Sequence, residues 1–347
     1  MVQKFGPLTF GLAAASLAGS AAGVWYSIRL AHRVGVIDVP NRRSSHANPT
    51  PRMGGVPMVC AALLSFASWM FAAADGMVPA TGLAHALVFA LAMSILGFAD
   101  DLSSLSPLIR CLAQTAGALL VLWHAARLFP IPETGGWAIP GSVWLVAATL
   151  WIVWMVNLYN FMDGIDGLAG GEAVVASAFF FGLFAWHGDW EWAAANLFIA
   201  CAAAGFLPHN WPPARVFMGD AGSTFLGAFF AMQSVVAPAA TGIPVATLVL
   251  PFANFILDTT ATLLRRMWRG EKWYQAHRSH FYQRMTDLGM THLEVTVLEL
   301  ITVVLSCVAA VAYTGLANLG RVAVVGTVIS GLVGGGVWIA AREKALK

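Results

Sequence analysis

Acidic residues in this sequence collect where long apolar runs begin or end. Asp100 and Asp101 stand side by side at the end of one run, and Asp220 lies directly before another. Adjacent carboxylates in an apolar setting repel each other and resist desolvation unless a cation lies between them. Mg²⁺ is held in proteins through one or two carboxylates together with substrate phosphates. The acids therefore indicate a Mg²⁺ site, with Mn²⁺ as the alternative metal, that acts on a phosphate compound.

A second polar run begins with two asparagines at the end of an apolar stretch. Asn157, Asn160 and Asp163 recur every three residues, so they lie along one face of a helix. Two Asp-Gly pairs, at residues 163–164 and 166–167, then have the composition of a turn. A turn explains the aspartates and glycines but leaves the asparagines unexplained, which favours a functional site here.

Residues 217–223 bring Gly219, Asp220 and Gly222 directly before an apolar run. They fit an ordinary helix N-cap with flexible glycines. They fit equally a helix N-terminus that faces phosphate while the acid binds the metal. This segment alone leaves both interpretations open.

Residues 265–292 are basic and aromatic and contain His277-Arg278-Ser279-His280. One interpretation is an interfacial stretch that lies on anionic lipid. Two histidines three apart beside arginines also suit binding of a diphosphate.

Asp258, inside the preceding apolar run, is costly in lipid unless it is paired. Pairing with Arg265 or Arg266 and a role at the site are both open.

These polar residues are exceptions in a strongly apolar chain. Of the 347 residues, 59% are hydrophobic and only 10% are charged, with a mean hydropathy of +0.72. A soluble domain carries about a quarter charged residues, so lipid must be the solvent for much of this chain. The net charge of +2 does not indicate a nucleic-acid-binding protein. The four cysteines lie in apolar runs without metal-like spacing and are interpreted as packing residues.

Eleven apolar stretches are long enough to cross a bilayer as helices. We therefore expect an all-α, polytopic integral membrane helix bundle that forms one domain over residues 1–347. The predicted spans are approximately 7–28, 54–74, 79–98, 107–126, 139–157, 168–187, 190–208, 221–237, 242–264, 293–314 and 321–341.

The basic residues favour one orientation. With the N-terminus outside, only Lys4, Arg127 and Arg321 of the 19 lysines and arginines fall on the outer side. Because cytosolic loops are enriched in Lys and Arg, the N-terminus is predicted to be periplasmic and the C-terminus cytosolic. All the polar segments described above then lie at the cytosolic face, and the inner membrane of a bacterium is the expected location.

In this order, the segments resemble the polyprenyl-phosphate N-acetylhexosamine-1-phosphate transferase family, glycosyltransferase family 4. The resemblance rests on the Asp100-Asp101 pair, the Asn-x-x-Asn-x-x-Asp-Gly-x-Asp-Gly-Leu-Ala run from Asn157 and the Phe-Met-Gly-Asp-Ala-Gly-Ser run from Phe217. It extends over about residues 38–284. It implies Mg²⁺-dependent transfer of a sugar-1-phosphate from a UDP-N-acetylhexosamine to undecaprenyl phosphate, with release of UMP.

The resemblance also implies roles for individual residues. Asp100 is the expected base for the lipid phosphate, with a nucleophilic role as the alternative scheme. The residues expected to be catalytic are Asp100, Asp101, His277 and His280. Those expected to bind the nucleotide and the donor are Asn157, Asn160, Asp163, Asp166, Phe217, Arg278 and Arg284. Those expected to bind the metal are Asp220 and Asp101.

Differences from the peptidoglycan branch of the family narrow the choice of donor sugar. The phospho-N-acetylmuramoyl-pentapeptide transferase has a lysine shortly after its Asp pair and adjacent histidines in its last loop. This chain has Leu102-Ser103-Ser104 and His277-Arg278-Ser279-His280 at those places. The second run is more similar to O-antigen-initiating enzymes that use UDP-N-acetyl-6-deoxyhexosamines. The expected product therefore initiates O-antigen or another surface polysaccharide.

Partners and alternatives complete the sequence-based predictions. The expected partners are a UDP-N-acetyl sugar, undecaprenyl phosphate and membrane lipids, not nucleic acid, and a homodimer is left open.

A Mg²⁺-dependent membrane prenyltransferase is the nearest alternative function, and UMP binding separates it from the transferase. A secondary transporter would show charges near the midplane and paired repeats. An intramembrane aspartyl protease would need a second aspartate inside a helix. The lipid tail length, the choice between single displacement and a covalent intermediate, and the role of residues 38–52 remain open.

Overall fold

The computed structural model describes residues 6–40, 48–73, 81–126, 140–272 and 277–345. Within these ranges the chain is almost entirely helical, as the sequence predicts for an all-α protein. The elements in chain order are α1 (Pro7–Val34), β1 (Ile37–Asp38), β2 (Thr50–Pro51), α2 (Gly55–Ala73), α3 (Thr81–Ser103), α4 (Pro107–Ala125), α5 (Gly141–Met162), α6 (Leu168–His187), α7 (Trp190–Asn210), α8 (Asp220–Thr241), α9 (Val245–Val249), α10 (Ala253–Trp268), α11 (Phe281–Asp287), α12 (His292–Gly315) and α13 (Asn318–Ala345).

Eleven segments of the described chain are long and apolar enough to cross a membrane, which confirms the predicted number of spans. The span Val245–Trp268 combines α9, a 3-10 turn and α10. Several helices run beyond their predicted ends, among them α3, which continues to Ser103, and α5, which continues to Met162. Asp100 and Asp101 therefore lie within the last turns of α3, where helical geometry fixes their directions.

α8 lies at the centre of the bundle and packs against α2, α3 and α5. Glycines permit these close contacts. Gly97 of α3 lies directly against the backbone of Asp220, and a Cβ on Gly227 would be 2.8 Å from the Met155 carbonyl oxygen of α5. The C-terminal ends of α3 and α5 therefore meet the N-terminal end of α8, and these three ends carry most of the predicted site residues.

The β1–β2 hairpin braces the segment before α8. The two strands pair antiparallel. Phe217 N donates to Pro51 O at 2.8 Å, and Gly54 N donates to Phe217 O at 3.0 Å. These bonds bring Arg52 to the N-terminal end of α8. The segment 38–52, whose role the sequence left open, therefore contributes one side chain to the site. Residues 41–47 lie outside the described ranges.

The ninth predicted span, 242–264, is broken. α9 and α10 are separated by a 3-10 turn at Leu250–Phe252. Pro251 lies in this turn and has no N–H to continue an α-helical hydrogen-bond pattern. The break starts a new helix, α10, which carries Asp258 towards the end of the bundle where α3, α5 and α8 meet.

Candidate active site

Asp101 binds the N-terminus of α8. Its Oδ1 and Oδ2 atoms accept hydrogen bonds from the backbone N–H groups of Asp220 and Ala221, each at 3.1 Å. A carboxylate in this place satisfies N–H groups that the helix leaves free, and the helix dipole favours its charge. The Asp101 side chain is only 1% exposed. Asp101 therefore attaches α3 to α8, a structural contribution that the sequence analysis did not include.

Gly219 makes this attachment possible. It is the N-cap of α8, has a φ of +74° and supplies no side chain to the helix. A Cβ at this position would lie 2.8 Å from Asp101 Oδ2 and 2.9 Å from Arg52 O. Backbone conformation and lack of space both require glycine here. Of the two interpretations of residues 217–223, a helix N-cap is present, but the capping carboxylate comes from α3.

Two arginines join the aspartates. Arg52 Nη2 lies 3.3 Å from Asp101 Oδ1 and 3.5 Å from Asp220 Oδ1. Arg110 Nη1 lies 2.7 Å from Asp100 Oδ2 and 3.5 Å from Asp220 Oδ2. Burial opposes the charge of Arg52, but the carboxylates of Asp101 and Asp220 outweigh this and raise its pKa. Asp220 is thus shared between two guanidinium groups.

Asp163 follows α5, and its partly buried carboxylate lies near the cluster formed by Asp101, Asp220 and Arg52. Burial, and next the charge of Asp220, raise the pKa of Asp163 well above its ordinary value, while Arg52 acts in the opposite direction. No described residue donates a hydrogen bond to this carboxylate. The preceding Asn160 donates from Nδ2 to Ser223 Oγ at 3.0 Å and so connects α5 to α8. The Asp163 oxygens are therefore available to a cationic ligand.

The residues present fit a Mg²⁺ ion that is completed by substrate. Among the described residues, no group of three or more His, Cys, Asp or Glu side chains is arranged to hold a metal ion by itself. Mg²⁺ does not require such a group, because it is bound through one or two carboxylates together with waters and phosphates. Asp163 and Asp220 are the carboxylates that fit, since Asp163 accepts no hydrogen bond from a described residue, and Asp220 lies 3.5 Å from both arginines with Asn160 and Asp100 as further side-chain partners. Asp101, predicted as a ligand, would have to share oxygens that already accept backbone bonds.

Asn157 belongs to the other side of the aspartate pair. Its Nδ2 donates to Gln114 Oε1 of α4 at 2.7 Å. With Asp100 and Arg110 it lines a cavity of about 10 Å³, roughly the space of one water molecule. A nucleotide or sugar does not fit this cavity, so contact of Asn157 with substrate stays a prediction.

The predicted histidines lie beside the end of α5. Tyr282 Oη donates to Phe161 O at 2.9 Å, which fixes α11 against α5. The ring centroids of His277 and His280 are 4.9 Å apart, and that of Phe161 is 6.2 Å from His280. Burial, then the charges of His280 and the nearby arginines, lower the pKa of His277 to about 4. The histidine loop and the carboxylate cluster therefore share one end of the bundle, although Trp273 and Tyr274 of this loop lie outside the described residues.

Of the two alternatives left open for Asp258, the ion pair with Arg265 or Arg266 is not present in the structure. Asp258 Oδ1 instead lies 3.1 Å from His280 Nδ1. Arg265 donates to the Ser279 carbonyl oxygen, and Arg266 pairs with Glu271 at 2.7 Å. Asp258 thus accepts hydrogen bonds from His280 and from backbone N–H groups of α11, and both arginines bind other partners.

Four other predicted binding residues make contacts of their own. Arg284 donates from Nε and Nη2 to Glu343, both at 2.7 Å, and Arg278 pairs with Asp287 at 3.0 Å. Asp166 accepts from Ala214 N at 3.0 Å and lies 3.3 Å from His292 Nδ1. Phe217 is half-buried, and its backbone hydrogen-bonds to Pro51 and Gly54. Contact with substrate stays a prediction for Arg278, Arg284, Asp166 and Phe217.

Two residues of this site, Arg52 and Arg110, were not predicted from the sequence, whereas a role for Asp258 was left open. Arg110 could have been found, because a charged residue inside an apolar span requires a partner or a function. Arg52 carried no such signal, since one more arginine in a basic loop is ordinary. Its importance depends on the hairpin that delivers it.

Comparison with known proteins connects this site to a family. The sequence model described as Glycosyl transferase family 4 matches residues 83–237. The decaprenyl-phosphate N-acetylglucosaminephosphotransferase of Mycolicibacterium smegmatis is 33% identical over 310 residues, which cover 81% of this chain and 76% of that protein.

Two further relatives have similar coverage. The probable undecaprenyl-phosphate N-acetylglucosaminyl 1-phosphate transferase of Bacillus subtilis is 30% identical over 298 residues, 82% of this chain and 79% of the relative. The undecaprenyl-phosphate alpha-N-acetylglucosaminyl 1-phosphate transferase of Escherichia coli is 27% identical over 293 residues, 79% of this chain and 76% of the relative. The resemblance predicted from the ordered motifs is confirmed, and the chain belongs to glycosyl transferase family 4.

Proposed function

We propose that this protein transfers a sugar-1-phosphate from a UDP-N-acetylhexosamine to undecaprenyl phosphate and releases UMP. The observation that carries the proposal is the convergence of Asp163 and Asp220 with Arg52 and Arg110 at one end of a membrane-spanning bundle. Carboxylates for a metal beside guanidinium groups suit a diphosphate. The relatives whose names specify a polyprenyl phosphate and an N-acetylglucosamine phosphotransfer support the two substrates.

The proposed reaction exchanges one phosphoanhydride bond for a similar one. An oxygen of the lipid phosphate attacks the phosphorus next to the sugar, and the bond from that phosphorus to UMP breaks. Mg²⁺ held by Asp163 and Asp220 would neutralise charge on the diphosphate oxygens. Arg52 and Arg110 bind phosphate oxygens through guanidinium hydrogen bonds. Asp100, held by Arg110 and by Leu105 N, would lie at the acceptor phosphate.

The site end of the bundle is proposed to face the cytosol of a bacterium. Arg52, Arg110 and the basic residues 265–284 lie at this end, as the excess of Lys and Arg in cytosolic loops predicts. A UDP-sugar is then available from the cytosol, while the isoprenoid tail stays in hydrocarbon and its phosphate reaches the interface.

The donor is proposed to be an N-acetylhexosamine other than muramoyl-pentapeptide. Two relatives that match about four-fifths of this chain are named for N-acetylglucosamine. The His277-Arg278-Ser279-His280 run favours a 6-deoxy sugar and a product that initiates O-antigen or another surface polysaccharide. UDP-N-acetylglucosamine and its 6-deoxy analogues are the first donors to compare.

The test uses purified full-length protein in detergent with undecaprenyl phosphate and a panel of UDP-N-acetylhexosamines. We expect UMP release that requires lipid and Mg²⁺ and that falls at least about 100-fold in Asp220→Asn and Asp163→Asn, because charge neutralisation dominates phosphoryl transfer. Asp189→Asn, at the opposite end of α6, is the matched control and should keep full activity. Folded protein that releases no UMP from any donor would contradict the proposal, and transfer of a prenyl group would favour the prenyltransferase alternative.

A further inference from the structure

Four hydrogen-bond donors converge on one buried carboxylate outside the cluster. Asp258 of α10 is 6% exposed. Its Oδ1 accepts from His280 Nδ1 at 3.1 Å and from Phe281 N at 2.9 Å, and its Oδ2 accepts from Tyr282 N at 3.2 Å. The Thr262 hydroxyl, one turn further along α10, donates to Oδ1 at 3.1 Å. A single side chain thus holds both the N-terminus of α11 and the imidazole of His280.

His280 is fixed by its surroundings. The residue is 3% exposed, and its ring stacks on that of Tyr282 at a centroid distance of 5.7 Å and an angle of 14°. Since Nδ1 is bound to Asp258, Nε2 is the ring nitrogen left for another partner. No described residue hydrogen-bonds to Nε2. The ring also lies 6.2 Å from that of Phe161 at the end of α5, the helix that Asp163 follows.

We propose that Asp258 is a positioning residue that fixes the tautomer and orientation of His280, so that Nε2 serves the diphosphate of the donor. A carboxylate bonded to one imidazole nitrogen holds a proton on that nitrogen and favours the imidazolium form, in which the other nitrogen also carries a proton and can donate to a phosphoryl oxygen. Charge develops on phosphoryl oxygens during transfer, and a donor that is already in place stabilises it without reorganisation. This inference rests on the proposed function and adds to it a residue outside the reacting groups.

A purely structural role makes a different prediction. If Asp258 only held the N-terminus of α11, then Asp258→Asn, which keeps one acceptor oxygen and turns an N–H towards a backbone donor, should lower the thermal midpoint and should lower activity by the same factor whether residue 280 is histidine or glutamine. If its charge holds His280, Asp258→Asn should lower kcat about 10–100-fold, the usual cost of removing such a partner, and change KM for either substrate less than about two-fold. Asp258→Ala loses both contributions and serves as the disruptive reference.

The experiment is a double-mutant cycle on the full-length enzyme in detergent. UMP release is measured for wild type, Asp258→Asn, His280→Gln and the double variant, with Asp189→Asn as the control. We expect the double variant to lose no more activity than His280→Gln alone, because the effect of Asp258 on the transfer step passes through His280. Wild-type kcat in Asp258→Asn, or losses that multiply in the double variant, would overturn the inference.

A readout independent of activity separates this inference from the proposed function. In ¹⁵N-histidine spectra, the signal that His280→Gln removes should show a proton on Nδ1 in wild type and should change in Asp258→Asn. An unchanged signal would contradict the positioning role. Wild-type protein that shows this signal but releases no UMP from any donor would contradict the proposed function and leave the Asp258–His280 pair in place.

Discussion

At the scale of single residues, Arg110 links the two parts of the aspartate cluster. Its guanidinium lies between Asp100 and Asp220, and its planar group can bind two phosphate oxygens at once. Arg110→Gln should therefore raise KM for the lipid phosphate at least about tenfold, the effect of losing one charge-assisted contact of about 1.4 kcal/mol. Steady-state kinetics with varied undecaprenyl phosphate measure this.

Two variants sharpen the Arg110 test. Arg110→Lys keeps the charge but not the planar fork, so it should recover part of the affinity. Arg215→Gln removes an exposed arginine that bonds only a backbone carbonyl, and it should leave KM unchanged. Equal KM values for wild type and Arg110→Gln would exclude Arg110 from the acceptor site.

His277 gives a prediction about pH. Burial, then His280 and nearby arginines, lower its pKa to about 4, against an ordinary value of about 6.5 in the unfolded chain. The neutral ring is favoured in the folded state, so its contribution to stability is complete above pH 6.5 and is lost as the pH falls towards 4. Between pH 7 and pH 5 the thermal midpoint of wild type should fall more than that of His277→Gln. Parallel curves for the two proteins would contradict the lowered pKa.

At the scale of elements, the approach of α3 to α8 depends on Gly219. A Cβ there would meet Asp101 Oδ2 at 2.8 Å, and the φ of +74° with a ψ of 172° is a conformation that essentially only glycine adopts. Gly219→Ala should lower the free energy of unfolding by about 2 kcal/mol or more and reduce activity, because Asp101 and Arg52 must move.

A second glycine provides the control for that prediction. Gly242 follows α8 with a φ of +70°, and a Cβ there would meet nothing within 4 Å. Gly242→Ala should therefore cost only about 1 kcal/mol of backbone conformational energy and leave UMP release unchanged. Thermal denaturation in detergent compares the two variants. A smaller loss at residue 219 than at residue 242 would show that the contact with Asp101 can relax.

The elements also show what sequence patterns can and cannot predict. Runs of about 20 apolar residues predicted all eleven spans, since few structures other than a helix satisfy the backbone in lipid. The break at Pro251 was missed because hydropathy is continuous across it. The sequence left the partner of Asp258 open between nearby arginines and the site, because His280 lies 22 residues along the chain and only the fold brings it to Asp258.

At the scale of the whole molecule, the site is assembled from residues far apart in sequence. Arg52, Arg110, Asp163 and Asp220 come from four separate segments that meet only when α3, α5 and α8 pack at one end. The ordered motifs indicated the aspartates, because each stands where an apolar run begins or ends. They could not indicate which cation faces which acid, since helix packing and the β1–β2 hairpin decide those pairs.

This arrangement fixes a prediction about the topology of the protein in the membrane. α6 begins beside the site at Leu168 and ends at His187, and a helix of 20 residues spans about 30 Å, the thickness of the hydrocarbon core. If the site faces the cytosol, His187 must lie outside and Arg269, after α10, must lie inside. In a background whose four native cysteines are replaced, His187→Cys should react with a membrane-impermeant maleimide in cells with a permeable outer layer. Arg269→Cys should react only after the inner membrane is opened. The reverse pattern would place the carboxylate cluster on the outer face, where no cytosolic nucleotide-sugar reaches it, and would contradict the proposed donor together with the orientation.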